Sequence, residues 1–272
     1  MKLTAEEMRF FKREGYLIKR GVMDAALMAR ARQQIWDRAT PSMRRDDPST
    51  WVGPVKEEEV VEDDQLLAKN YRWHNYAMGV QDWVVEMLAT NARVFGMAEQ
   101  LLGKCQVVVP ESIRGIYCTL PYADHSIDHN DCHTDGHPFQ LGIVGYIDDV
   151  EPGGGGFRVW PGSHRPLYHA FDSQYLNQPN AAYDEALKRV GRGKSVDCYG
   201  AAGDVVFWHQ RLGHMAGHNY SSNIRQAALY DFCSKELGDF WRKEPIPTPI
   251  MLEPPQANMW KDWSLELQAL DI

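Results

Sequence analysis

No run in this chain approaches the roughly 20 apolar residues that span a bilayer, and its opening MKLTAEEMRFFKREGY is charged and amphipathic rather than signal-like. Clustered Lys and Arg are also missing: 29 basic residues stand against 37 acidic ones, for a net charge of -8. Neutralising a phosphate backbone needs such clusters, so nucleic acid is disfavoured as a partner and a small molecule favoured. There is no CxxC, and the five cysteines (Cys105, Cys118, Cys132, Cys198 and Cys233) are odd in number and scattered. That suits neither a disulfide framework nor a thiolate zinc site. The expectation is a soluble cytoplasmic protein with reduced thiols and no membrane partner. The C-terminal LDI is not a peroxisomal address. GxGxxG and Walker loops, internal repeats and low-complexity tracts are absent too, which disfavours a parallel nucleotide-binding sheet.

What is present is ample material for a core: 44% hydrophobic residues, with nine Trp, twelve Tyr and nine Phe in 272 residues. Thr4, with Glu7 three residues on, resembles a capping box ahead of Met8, Phe11 and Tyr16, and Asp24 opens a second helical run through Ile35 and Trp36. From Thr40 to Asn70 periodicity fades, and the charge run Lys56 to Asp64 is expected to be a solvated loop, with a mobile flap as the alternative. Val84 to Leu102 returns to helical spacing and stops at Gly103. Short β-rich segments follow at 106–110, 113–120, 140–147, 156–160, 203–209 and 225–232, broken by Gly, Pro, Asn and Asp. Helices followed by many short strands point to a mainly β fold with flanking α-helices, a double-stranded β-helix of the jelly-roll, cupin-like kind. The expected organisation is one domain over 1–272. It has N-terminal helices in 1–103, a barrel core over about 104–235 with an insertion at 172–194, and a tail over 236–272 that includes Trp241, Pro254, Pro255 and Trp260.

Most of the ten histidines crowd into two windows, 125–137 and 209–218. Residues two apart on a strand share a face, so His133 and Asp135 can aim an imidazole and a carboxylate at one point. A further histidine from a distant strand would complete a two-His, one-carboxylate face, which suits Fe(II) by leaving positions open for a bidentate cosubstrate and dioxygen. His214 lies just beyond the strand expected over Asp204 to His209, and Arg225 opens the next alternation, with Ala227 and Leu229 on its face. An inward arginine in a β-barrel is costly unless it meets an anion, and a planar guanidinium matches a carboxylate through two parallel hydrogen bonds.

The N-terminal LTAEEMRFFKREGYLIKRGVMD, the His133-Thr134-Asp135 motif, the Gly153 to His164 segment GGGGFRVWPGSH, and Gly203-Asp204 followed by His214, Asn219 and Arg225 together resemble the phytanoyl-CoA dioxygenase family. The family's spacing of eleven residues between second histidine and arginine is kept by His214 and Arg225. The resemblance implies an Fe(II)- and 2-oxoglutarate-dependent dioxygenase that uses O2 to hydroxylate or otherwise oxidise a small organic metabolite, releasing succinate and CO2. It implies His133, Asp135 and His214 as metal ligands and catalytic centre, Arg225 as the grip on 2-oxoglutarate, and Tyr117, Thr119 and Asn130 as further cosubstrate contacts. Ala216 stands where the family often has a small hydroxyl residue. Related iron halogenases replace the carboxylate, so Asp135 favours hydroxylation over chlorination. Desaturation, ring formation and endoperoxide formation would use the same residues.

Other readings stand beside these. His129, His133 and His137 have zinc spacing on a helix, but Asn130, Asp131, Gly136 and Pro138 oppose a helix there. His209 is read as a core or rim residue, His164 as a turn residue, and the glycines from Gly153 as a flexible hairpin rather than a phosphate cradle. Trp51, Trp73, Tyr76, Trp160 and Trp208 are candidates for an apolar pocket wall. A coenzyme A thioester finds no basic cluster for its phosphates. The rivals to the oxygenase are a cupin-like metal-dependent hydrolase or isomerase that ignores 2-oxoglutarate, and a non-catalytic small-molecule-binding barrel.

Overall fold

A computed structural model describes residues 2–238 and 247–271; Trp241 of the expected tail lies outside them. The chain begins with helix α1 (Ala5–Glu14), where the Thr4 and Glu7 capping box forms as read and Gly15, at φ 81°, ends the helix. Strand β1 (Tyr16–Lys19) follows, then α2 (Ala25–Gln34), whose N-cap is Asp24. Tyr16 thus belongs to a strand and not to the first helix.

The stretch expected to be loop is partly sheet. After a 3-10 turn at Glu57–Glu59 come β2 (Val61–Glu62), β3 (Leu66–Lys69) and β4 (Arg72–Asn75), joined by tight reversals. These strands are too short, and too mixed in polarity, for period-2 alternation to stand out from noise. The helical stretch beyond splits into α3 (Asp82–Met87) and α4 (Ala92–Leu102), because Asn91 caps the second with its side chain.

The barrel strands are β5 (Gly115–Thr119), β6 (Leu141–Tyr146), β7 (Phe157–Val159), β8 (Val196–Cys198), β9 (Val205–His209), β10 (His214–Ala216) and β11 (Arg225–Phe232). Helices α5 (His164–Tyr168) and α6 (Tyr183–Gly191) fill the insertion, and α7 (Pro249–Leu252) and α8 (Leu265–Gln268) lie in the tail. The segment at 106–110 makes only an isolated bridge, Val107 to Ser234.

All pairings between these strands are antiparallel. One sheet runs β1-β9-β6-β11-β5-β4-β3-β2 and a smaller one β10-β7-β8. Alternation divides the large sheet by face. Ile116, Cys118, Leu141, Ile143, Phe207, Ala228 and Tyr230 pack outward against Met28, Val84, Val94, Met97 and Leu101 of the helices. Val144, Tyr146, Val206, Trp208 and Ala227 face Phe157, Val159 and Cys198 of the small sheet. The result is the double-stranded β-helix expected from the sequence, one mouth of which is prolonged by β4, β3 and β2. Among the described residues no helix is long and apolar enough to cross a membrane.

Candidate metal centre

Two backbone segments bring the first ligand candidates together. His133 and His214 form an antiparallel bridge, with N–H to O=C distances of 3.1 and 3.0 Å in the two directions, while β10 itself pairs with β7 so that His214 lies opposite Val159. Two residues beyond His133, Asp135 comes back to the same point. One ligand atom from each of His133, Asp135 and His214 lies within 4.8 Å of the others.

Both imidazoles are oriented by carbonyls. Nδ1 of His133 lies 2.7 Å from the Asp131 oxygen, and Nδ1 of His214 lies 2.9 Å from the Leu212 oxygen. A carbonyl only accepts, so Nδ1 of each ring carries a proton, and in the neutral imidazole Nε2 is the nitrogen open to a metal. Asp135 Oδ2 is buried 3.3 Å from His214 Nε2, yet accepts no hydrogen bond among the described residues. A buried carboxylate oxygen left in this way is costly, and a divalent cation bound by the three side chains would satisfy it. The donor set therefore fits a mononuclear Fe(II) site.

Beneath Asp135 lies a charge network that sequence reading missed. Arg114 Nη2 is 3.4 Å from Asp135 Oδ1, its Nε donates to Asp231 Oδ2 at 2.5 Å, and His137 Nε2 lies 2.7 Å from the same Asp231 oxygen. Burial opposes the Asp135 charge, but the Arg114 guanidinium holds its carboxyl well below the usual carboxylate range. Burial likewise opposes the charge on Arg114, which Asp231 and Asp135 outweigh, raising its pKa. Burial, with His214 beside it, lowers His133. The available signal was the alternation of β11, on which Asp231 falls on the face of Arg225, Ala227 and Leu229.

Arg225 is buried on that inward face. Its Nε donates to the Gly155 oxygen at 2.8 Å and its Nη1 to the Tyr117 oxygen at 3.1 Å. Two of its five N–H groups are thus committed to carbonyls, which hold the plane of the fork and leave the remainder for an anion. The glycine-rich segment is not a flexible hairpin. Gly155, at φ 80°, would place a Cβ 3.0 Å from that of Asn219 and 3.5 Å from that of Arg225, so glycine here is the condition for the loop to reach the guanidinium. Asn219 in turn donates to the Thr119 and Asn223 oxygens, and Asp204 accepts from Gly21 and Ala201 backbone N–H groups; both brace the frame.

His133, Asp135, His214, Arg225, Arg114, Tyr117 and Thr119 all line one cavity of about 860 Å³, with Trp208, Phe157, Val144 and Leu229 among its apolar wall. Asn130 does not line it: its amide donates to the Gly191 oxygen and its carbonyl accepts from Cys132, because the exposed loop it occupies turns toward α6. Of the aromatic candidates only Trp208 reaches the wall. Trp51 and Trp73 pack on Trp36, Tyr76 leans on Tyr117, and Trp160 is buried elsewhere. Ala216 borders the cavity and offers no hydroxyl. The zinc-like trio does not assemble, since His129 pairs with Asp131 on the rim and His137 with Asp231 below. His209 stacks on Trp263 at 5.3 Å in the core. His164 opens α5 rather than a bare turn, and lies wholly buried with Nε2 3.2 Å from the Lys12 oxygen.

A family model described as phytanoyl-CoA dioxygenase (PhyH) matches residues 11–227. No curated protein matches the chain in sequence. Among solved structures, EctD from S. alaskensis with 2-oxoglutarate and 5-hydroxyectoine aligns at 18% identity over 92% of this chain and 86% of that one, with a TM-score of 0.56. The non-heme alpha ketoglutarate dependent epimerase SnoN from nogalamycin biosynthesis aligns at 17% over 93% and 95%, with a TM-score of 0.53. HygX from Streptomyces hygroscopicus, with nickel and 2-oxoglutarate bound, aligns at 14% over 86% and 88%, with a TM-score of 0.51. At these identities the likeness is one of fold.

Proposed function

This chain belongs to the phytanoyl-CoA dioxygenase family and is an iron- and 2-oxoglutarate-dependent oxygenase; from that premise we propose that His133, Asp135 and His214 hold the metal, that Arg225 receives the distal carboxylate of 2-oxoglutarate, and that the product is a hydroxylated small organic metabolite. What supports the assignment most is that the three ligand atoms gather within 4.8 Å inside the same cavity that Arg225 lines. Bound iron with 2-oxoglutarate and O2 supplies the oxidation, one oxygen atom going to the substrate and the other into succinate as CO2 leaves.

The chain's own residues prepare that chemistry. Asp131 and Leu212 carbonyls fix the imidazole tautomers, and Arg114 keeps Asp135 ionised as a ligand. Gly155 and Tyr117 carbonyls orient the Arg225 fork, beside which Thr119 and Tyr117 lie ready for the cosubstrate. Burial pushes the Tyr117 phenol up, so it stays protonated and able to donate. Trp208, Phe157, Val144 and Leu229 exclude water from the reacting volume. The whole chain acts as one domain in this reading, and a reducing cytoplasm suits its five free cysteines.

Anaerobic addition of Fe(II) and 2-oxoglutarate should produce a visible charge-transfer band in the wild type and none in Asp135→Ala. A wild type that gives no band, or a variant that keeps it unchanged, rejects the ligand assignment. A hydrolase or isomerase on the same barrel would be silent to 2-oxoglutarate.

A further inference from the structure

Among the described residues, one cation on the cavity wall has no anionic partner. Lys69 is paired with Glu62 at 2.7 Å. Arg114 is matched by Asp135 and Asp231, and Arg225 is held by carbonyls. Arg72, which lines the same cavity, has a side chain with neither an ion pair nor a hydrogen bond among the described residues.

Its position follows from strand register. Arg72 lies opposite Thr119 on β5, and Thr119 lies opposite Arg225 on β11. Directly paired residues share a face, so Arg72, Thr119 and Arg225 form one row across three strands, the two arginines two strand spacings or about 10 Å apart at the backbone. Both guanidiniums therefore issue toward the same space. A diacid gripped at one end by Arg225 has its other end committed to the metal, so it leaves no carboxylate for Arg72. An anion received by Arg72 would come from a second molecule. His74, next on the same face, adds no charge of its own: burial, with Arg225 and Arg72 nearby, pushes it down to about 3. Beside Arg72 the rings of Tyr71 and Tyr122 stack at 3.6 Å and 10°, and both line the cavity. Together they offer an aromatic surface next to a free planar cation.

We propose that the substrate is a small organic carboxylic acid, its carboxylate received by Arg72 and its body lying against Tyr71 and Tyr122. One guanidinium matches one carboxylate, whereas a coenzyme A ester would need several cations for its phosphates, and Lys69, the other cation of this prolonged wall, is already paired. The inference rests on the oxygenase reading, since that reading is what assigns Arg225 to a different anion.

Calorimetric titration of the full chain under nitrogen, with Fe(II) and saturating 2-oxoglutarate, tests it using benzoate, 3-phenylpropanoate and octanoate, each beside its amide. At least one acid should bind tenfold or more tighter than its amide. Arg72→Gln, at an exposed position where the core is undisturbed, should bring that acid to the level of its amide while leaving the Kd of 2-oxoglutarate unchanged; Arg72→Lys should retain part of the difference. Amides that bind as well as acids, acids that do not bind at all, or an Arg72→Gln variant that weakens 2-oxoglutarate instead of the acid would each overturn the proposal. Failure of the oxygenase reading is separate, showing as wild type that does not bind 2-oxoglutarate.

Discussion

Arg225 is set in place before any ligand arrives. Its Nε and Nη1 are spent on the Gly155 and Tyr117 carbonyls, so little rotamer entropy remains to be lost when a carboxylate binds. Charged, two-point contacts of this kind contribute about 1.5–3 kcal/mol. Arg225→Gln should therefore raise the Kd of 2-oxoglutarate by roughly ten- to a hundredfold, while leaving metal affinity in the absence of cosubstrate unchanged; an unaltered Kd in a cosubstrate titration would remove Arg225 from this role. Asp231 acts at one remove. It faces Arg114 and His137 and touches no proposed ligand, but it is the anion that keeps Arg114 against Asp135. Asp231→Asn should weaken metal binding by roughly tenfold to a hundredfold, the usual loss when an outer contact of a metal ligand is removed. Anaerobic Fe(II) titration, with circular dichroism to verify the fold, checks this. His133, Asp135 and Arg225 could be singled out in the sequence by residue type and short spacing, although His133 makes only an isolated bridge and Asp135 lies outside any strand, where the strand spacing of the motif places both on one. Arg114 and Asp231 could not, because an isolated arginine before a strand and an aspartate near the end of another acquire meaning only when the fold brings together positions 117 apart in the chain.

At the scale of elements, β6 leaves no room for a side chain at Gly142 or Gly145. A Cβ on Gly142 would lie 2.2 Å from the Trp208 indole, and the ring of Trp208 fills the space between β6 and the small sheet. Gly142→Ala must displace a fully buried tryptophan, and overpacking of this kind typically costs about 1–3 kcal/mol or somewhat more. The urea midpoint should fall accordingly, and Phe157 and His214, which touch the same indole, should shift, so metal affinity falls with stability. A midpoint equal to wild type would show that the indole has room to move. Helices α1, α2 and α4 were legible from caps and spacing, since those signals are local. β2, β3 and β4 were hidden because two- to four-residue strands carry too few positions to display a period. They exist because β5 offers them an edge.

At the scale of the whole molecule, helices, sheet and tail share their cores: Phe11 of α1 packs on Trp260 and Trp263 of the tail, and Trp263 stacks on His209 of the barrel. One cooperative unfolding transition is expected, with calorimetric and van't Hoff enthalpies in agreement. That transition should be acid-labile. Burial pushes His164 down to about 3, below the value of about 6.5 in the unfolded chain. Between those values the unfolded chain binds a proton that the folded one refuses, so stability rises with pH across the window and is lost as pH falls from 6.5 toward 3. At pH 5 the wholly buried His164 alone accounts for about 2 kcal/mol, and His74 and His209 act in the same direction. Melting temperatures at pH 7, 6 and 5 should decline steadily; a flat profile would contradict the burial of these rings. The sequence by itself determined the Thr4 and Asp24 caps, the β-rich core and the motifs HxD, His214 and Arg225 from which the proposed site is built, because these depend on residue type and short spacing. Only the tertiary structure decided that two histidines 81 positions apart face each other across a bridge, that Asn130 turns away, and that Arg72 shares a row with Arg225. Those depend on register between distant strands, and register is set by how all the strands pack together.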